Sequence, residues 1–247
     1  MKILEDTLNF FINDAKNKGT FDLPKFLNVM EEAFKKSGFR DEHTDNEQKN
    51  ILVTRLDSIG DNVLNSSFLR ELRRNYPSAH ITLIVNHTIY NLVELCPYVN
   101  EVFRITYSGN LIVWLDSAIK LCREKLWQRH FDFYFNPRWD IDYYYALLLG
   151  FISGAKERIG YSTKVYQNKE RVNFGYDLFL TKPILNPPNV IHETARNLFF
   201  LKVLGLHVQD TKNEVWFSHE DVLKADELIL KVGGALERHL LPFAMEQ

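Results

Sequence analysis

The sequence predicts an α/β protein: a doubly wound parallel sheet preceded by a helical extension. Apolar runs of strand length alternate with longer segments of helical periodicity, the mark of βαβ units. The runs themselves are almost continuously apolar, as strands covered by helices on both faces must be. The chain has 247 residues, 45% of them apolar and 25% charged, an ordinary globular composition with room for one large domain or two small ones.

Taken in order, residues 1–36 read as two helices. Leu4, Leu8, Phe11 and Ile12 share one face, and Leu23, Phe26, Leu27, Met30 and Phe34 share another. Gly19 and Pro24 separate the pair, and Asp22 can cap the second. The polar stretch 37–49 is a linker, so residues 1–49 form a helical extension. ILVTRL (51–56) is the first strand, followed by the loop DSIGD (57–61) and a helix over 62–76. HITLIV (80–85), EVFRIT (101–106) and FDFYFN (131–136) are further strands, separated by helices over 88–95 and 110–129. A helix over 140–153 leads to a fifth strand, ERIGY (157–161). The polar stretch 162–176 reads as mobile, and a segment containing Pro183, Pro187 and Pro188 follows. A helix over 190–204 ends at Gly205, a C-cap residue, and a last helix covers 220–231. The divisions are thus 1–49, a domain over 50–206, and a C-terminal helical segment over 207–247.

Several function classes are excluded. Lys and Arg total 30 against 32 Asp and Glu, a net charge of −2, so nucleic acid is not an expected partner. Two cysteines, Cys96 and Cys122, make neither a disulfide framework nor a zinc site, and they point to a reducing cytoplasm. The uncharged run 143–155 falls short of the ~20 residues that span a bilayer, so a soluble protein is expected, with at most peripheral membrane contact. There is no GxGxxG, no GxxxxGK[ST], no GxSxG and no HExxH, which leaves no expected cofactor or metal.

Ligands of open α/β sheets bind outside the carboxyl ends of the strands. The first such end carries Asp57-Ser58-Ile59-Gly60-Asp61. Gly60 permits a tight turn into the helix. Asp61 stands at the helix start, either as a capping residue or as a general base. A helix N-terminus keeps such a carboxylate ionised, ready to accept a proton but weakened as a base.

ILVTRLDSIGDNVLNSSFLRELRRNYPSAHITLIVN, then ELCPYVNEVF, FDFYFNPRWD, GAKERIGY and VIHETARNLFFLKVLGL, in that order, resemble glycosyltransferase family 9, the ADP-heptose:lipopolysaccharide heptosyltransferases. The matches cover residues 50–206. The resemblance implies the N-terminal, Rossmann-like half of a GT-B fold, which holds the acceptor. It also implies an inverting, metal-independent transfer from a nucleotide sugar to a lipopolysaccharide-core or similar glycan, with Asp61 as catalytic base. Such an acceptor would be met at the inner face of the bacterial inner membrane. Asn65-Ser66-Ser67 replaces the family's usual T-x-P, a departure that bears on the acceptor.

The donor-side motifs of the family, HPG and D-T-G-x-x-H, do not occur. The nucleotide sugar is therefore expected to bind a second domain, on a longer product or a second chain. The alternative is a non-catalytic acceptor-binding or scaffold module. An unrelated α/β nucleotide binder has least support. For the acceptor, residues 153–176 hold five cations, Lys156, Arg158, Lys164, Lys169 and Arg171, against Glu157 and Glu170. An anionic sugar–lipid core would meet them, and Lys164 falls near the family's basic acceptor contact. Arg138, at the end of the fourth strand, is the other acceptor candidate, unless it only pairs with Asp140 at the surface. Gly60, Arg138 and Lys164 are thus the expected acceptor-binding residues.

Overall fold

The computed structural model describes residues 1–39, 48–185 and 190–231. Most of the predicted linker, Pro187, Pro188 and the tail after Lys231 lie outside them. Six strands form one parallel sheet: β1 (Asn50–Arg55), β2 (His80–Asn86), β3 (Glu101–Ile105), β4 (Phe133–Asn136), β5 (Glu157–Tyr161) and β6 (Lys182–Ile184). Their order is β3-β2-β1-β4-β5-β6. The predicted Rossmann-like α/β architecture is therefore the observed one.

The helices are α1 (Lys2–Lys18), α2 (Leu23–Ser37), α3 (Ile59–Leu64), α4 (Ser66–Asn75), α5 (Tyr90–Val93), α6 (Leu111–Leu121), α7 (Ala146–Ile152), α8 (Gln167–Val172), α9 (Glu193–Val203) and α10 (His219–Lys231). Alternate residues of the central strands face opposite layers. Leu52 and Ile84 pack under α1, α2, α6 and α7, whereas Ile51, Val53, Leu83 and Val85 pack under α4, α5 and α9. The N-terminal helices complete the first layer: Phe11, Phe26 and Phe34 join Trp114 of α6 and Phe151 of α7, with Phe26 and Phe151 rings 6.0 Å apart. Gly19 (φ 68°) ends α1 and the Asp22 side chain accepts from Lys25 N at 3.0 Å, as the sequence indicated.

Local departures have identifiable causes. β6 escaped the sequence reading because Pro183 argues against a strand. It lies at an edge, where proline is tolerated. Its neighbours make the ladder bonds, Thr181 N to Arg158 O (2.8 Å) and Ser162 N to Ile184 O (2.9 Å). The helix expected over 140–153 begins only at Ala146, because the buried Asp142 carboxylate takes the amides of Tyr144, Ala146 and Leu147 at 3.0–3.1 Å. The stretch read as mobile folds into α8 flanked by short 3₁₀ turns at 163–165 and 176–179.

A strap, residues 206–216, runs across α4 and covers its polar face. Arg70 Nη2 donates to Lys212 O (2.7 Å), Gln209 N to Glu71 (2.8 Å), and Asn75 exchanges two bonds with His207. Ser66 and Ser67 are fully buried here, accepting from Glu214 N and donating to Asn213 respectively. Ser66 and Ser67 of the Asn65-Ser66-Ser67 departure thus bond the strap.

Gly150 lies where α7 crosses β4. A Cβ there would come within 2.2 Å of the Tyr134 ring, which is itself fixed by its hydroxyl bonds to Thr54 (2.7 Å) and Ala146 O (2.6 Å). Gly150→Ala is expected to destabilise the fold by about 2 kcal/mol through overpacking. Urea unfolding measures this, and an unchanged midpoint would show that α7 is free to shift.

Candidate functional site

The strand order reverses between β1 and β4, so the loops leaving these neighbours diverge and open a crevice at the carboxyl edge. Asp57, Gly60 and Asp61 come from the β1 side and Arg138 from the β4 side.

Beneath the crevice lies Arg55, 1% exposed at the end of β1. Its Nη2 is 3.2 Å from Asp57 Oδ2, 3.6 Å from Asp61 Oδ1 and 2.8 Å from Glu193 Oε1, and its Nη1 is 3.4 Å from Asn197 Oδ1. One guanidinium therefore joins the first strand, the start of α3 and the start of α9. Both helix N-termini present a carboxylate to it, in line with their dipoles.

Asp61 occupies the third position of a capping box. Its Oδ2 accepts from Ser58 N (3.2 Å) and Ser58 Oγ (2.7 Å), while Ser58 is the N-cap. The helix thus starts at Ile59, earlier than expected, and Gly60 lies within its first turn. Gly60 is not among the glycines of positive φ, and a Cβ there would meet nothing within 4 Å. Its part is an open mouth, not the tight turn anticipated. The capping reading of Asp61 holds, yet it uses one oxygen. Oδ1, toward Arg55, carries no hydrogen bond of the box, and the side chain is 34% exposed. The box engages Oδ2, and Oδ1 faces the Arg55 guanidinium.

Arg138 pairs with Asp57 rather than with Asp140, and its Nε donates to Ile141 O at 2.6 Å. Its side chain is 11% exposed. Burial works to lower its pKa, but the Asp57 and Asp142 carboxylates outweigh that and hold it above the ordinary arginine value. Arg138 thus braces the β1 loop from within the crevice. Lys164 is exposed on the turn after β5, at the same edge but two strands from β1. The five-cation cluster does not form a single patch, because Arg158 and Lys169 are buried.

Sequence reasoning missed Arg55, Asn197, Arg196 and the aromatic stack. The only signal was an arginine closing an apolar strand. The Arg196 guanidinium lies 3.5 Å from the Trp139 ring centre, Trp139 stacks on Tyr166 at 4.7 Å, and the Tyr166 hydroxyl donates to Asp140. Lys169 Nζ, underneath, donates to Trp139 O (2.8 Å) and Tyr161 O (3.1 Å). Among the described residues, no group of three or more His, Cys, Asp or Glu could hold a metal ion, and no helix is long and apolar enough to cross a membrane.

Burial lowers the Lys169 pKa to about 8, against the pull of Asp142, Asp177 and Asp140. The folded value lies below the unfolded one of ~10.4, so the native state loses its proton first as pH rises. Stability should therefore increase between about pH 8 and pH 10 relative to Lys169→Met, in which that linkage is absent. Denaturant unfolding of both forms at the two pH values tests this, and parallel changes would contradict it.

No protein-family model matches this sequence, and no curated protein does. Solved structures do. The chain is similar to a glycosyl transferase family 9 structure from Veillonella parvula, with TM-score 0.62 and 23% identity over 76% of this chain and 51% of that one. It is similar to E. coli ADP-heptose lps heptosyltransferase II, with TM-score 0.52 and 16% identity over 77% of this chain and 52% of that one. For E. coli heptosyltransferase WaaC with ADP the TM-score is 0.50 and the identity 14%, over 67% and 50%. The chain spans about half the length of each of these structures. Its fold is the Rossmann-like N-terminal half of such GT-B proteins.

Proposed function

We propose that this chain is the acceptor half of a glycosyltransferase of the family 9 type. It takes a sugar from a nucleotide-sugar donor to a lipopolysaccharide-core or similar surface glycan. The carrying observation is Asp61, 34% exposed at the edge between β1 and β4, whose Oδ2 is fixed by Ser58 and whose Oδ1 faces Arg55. In this reading Oδ1 accepts the proton of an acceptor hydroxyl as that oxygen attacks the anomeric carbon of the donor. The bond from that carbon to the diphosphate breaks, its electron pair leaves with the nucleoside diphosphate, and the anomeric configuration inverts.

Arg55 holds the carboxylate in place from below, and Arg138 stiffens the opposite wall through Asp57. Gly60 leaves the mouth clear for a sugar. Lys164, exposed at the same edge, meets an anionic group of the acceptor. The donor is supplied by a second domain, on this product or on another chain. The setting is the cytoplasm, at the inner face of the bacterial inner membrane. A second reading, a non-catalytic acceptor-binding or scaffold module, is favoured by the service of Asp61 as a helix-capping residue.

With a donor domain supplied by fusion or in trans, Asp61→Asn is expected to lower transfer ~10²–10⁴-fold. Circular dichroism should report an unchanged fold. Wild-type turnover in the variant would reduce Asp61 to a helix cap.

By itself the chain is expected to bind core oligosaccharide but no nucleotide sugar. Asp57, Asp61 and Glu193 surround the crevice, and the three arginines among them are already paired. A diphosphate in the crevice would meet carboxylates whose neighbouring arginines are already engaged. Calorimetric titration with ADP-sugars and with oligosaccharide decides this. Saturable ADP-sugar binding that is lost in Asp61→Asn would make this sheet the nucleotide site.

A further inference from the structure

Two loops at the carboxyl edge, 139–145 and 166–178, are bonded to each other. Asp142 N donates to Asn173 Oδ1 at 2.7 Å, and Asn173 Nδ2 donates back to Asp142 O at 3.0 Å. Both residues are buried, and Asp142 also caps α7, so this is a firm anchor. Yet each anchor residue is followed directly by an exposed aromatic: Tyr143 is 52% exposed and Phe174 82%. Phe174 is the most exposed large hydrophobic side chain among the described residues, and Val172 and Leu178 beside it are exposed as well. A buried Asn173 side chain spent on the Asp142 backbone to hold two aromatics in water has built a prow.

The charges around it oppose the chain's net charge of −2. Lys164 and Arg171 are exposed and pair with no carboxylate among the described residues. Of the acids on the same stretch, Glu170 is exposed. Both oxygens of Asp177 are engaged, by Ser162 Oγ (2.6 Å) and Thr163 N (2.7 Å), and Asp140 accepts from Tyr166. Lysine is depleted from protein–protein interfaces, whereas basic residues flanking projecting aromatics suit an anionic lipid surface.

We propose that the Tyr143–Phe174 prow docks this domain on an anionic lipid bilayer. The proposal draws on the acceptor-site reading only in that a lipid-linked glycan would then be delivered to the edge that carries Asp61.

Flotation of the full chain with vesicles of phosphatidylglycerol and phosphatidylcholine tests it. The vesicles contain no glycan and no nucleotide, so the result is independent of any transferase activity. The wild type is expected to float with these vesicles and not with phosphatidylcholine alone. The double substitution Tyr143→Ser, Phe174→Ser should weaken partition at least about tenfold, the loss set by the apolar area withdrawn from lipid. An environment-sensitive fluorophore placed through Phe174→Cys should brighten on binding, and the same probe placed through Ser78→Cys, on the turn before β2, should not. This second measurement stands even if the double variant folds poorly. Failure of the wild type to float, or an equal response from both probes, would overturn the proposal. A vesicle-free dimer abolished by Phe174→Ser would overturn it in favour of a second copy of this chain.

Discussion

A guanidinium at the end of the central strand, almost wholly out of water, is tenable only if the surrounding chain brings it carboxylates. Stripping water from an unpaired arginine costs several kcal/mol. Arg55 is supplied by Asp57 from the β1 loop, Asp61 from the first turn of α3 and Glu193 from the first turn of α9. Meeting that requirement fixes where two helices begin. It also draws α9, distant in sequence, onto the same end of the sheet, where Asn197 Nδ2 adds a bond to Leu64 O at 3.1 Å. The charges then propagate outward, with Arg138 answering Asp57 and Arg196 lying 3.7 Å from Glu193. The crevice is thus floored by mutually paired groups, with Asp61 the partly exposed member of the set.

The walls of the crevice are stiffened by different means. On the β4–β5 side, three planar groups stack and one lysine ties the loop after β4 to the end of β5 through their carbonyls. Behind β1, the strap 206–216 satisfies a helix face that carries two serines, an arginine and a glutamate, groups that would be costly to bury against an apolar layer. On the far face, α1 and α2 add an aromatic layer in which Phe11, Phe26, Phe34 and Phe151 meet at centroid distances of 5.3–6.1 Å.

Much of this was readable from the residues. The alternation of apolar runs with helical periodicity determined the layered α/β class. The position of DSIGD after the first strand placed a candidate carboxylate at the ligand-binding edge, since strand ends and helix starts are local events. Gly19, Asp22 and Gly205 acted as punctuation because capping involves neighbouring backbone groups only; Gly205 follows α9 with φ 77°. What tertiary structure decided is everything that depends on partners far apart in the chain. Arg55 looks like the polar end of a strand until Glu193 arrives 138 positions later. Arg138 has Asp140 as its nearest acid in sequence, but the divergence of β1 and β4 gives it Asp57. Pro183 counts against a strand until the sheet order puts that strand at an edge. Periodicity reports which face of an element is buried. It carries no information on which charge a buried charge will meet, because that pairing is set by the strand order and by the cost of leaving an ion dry and alone.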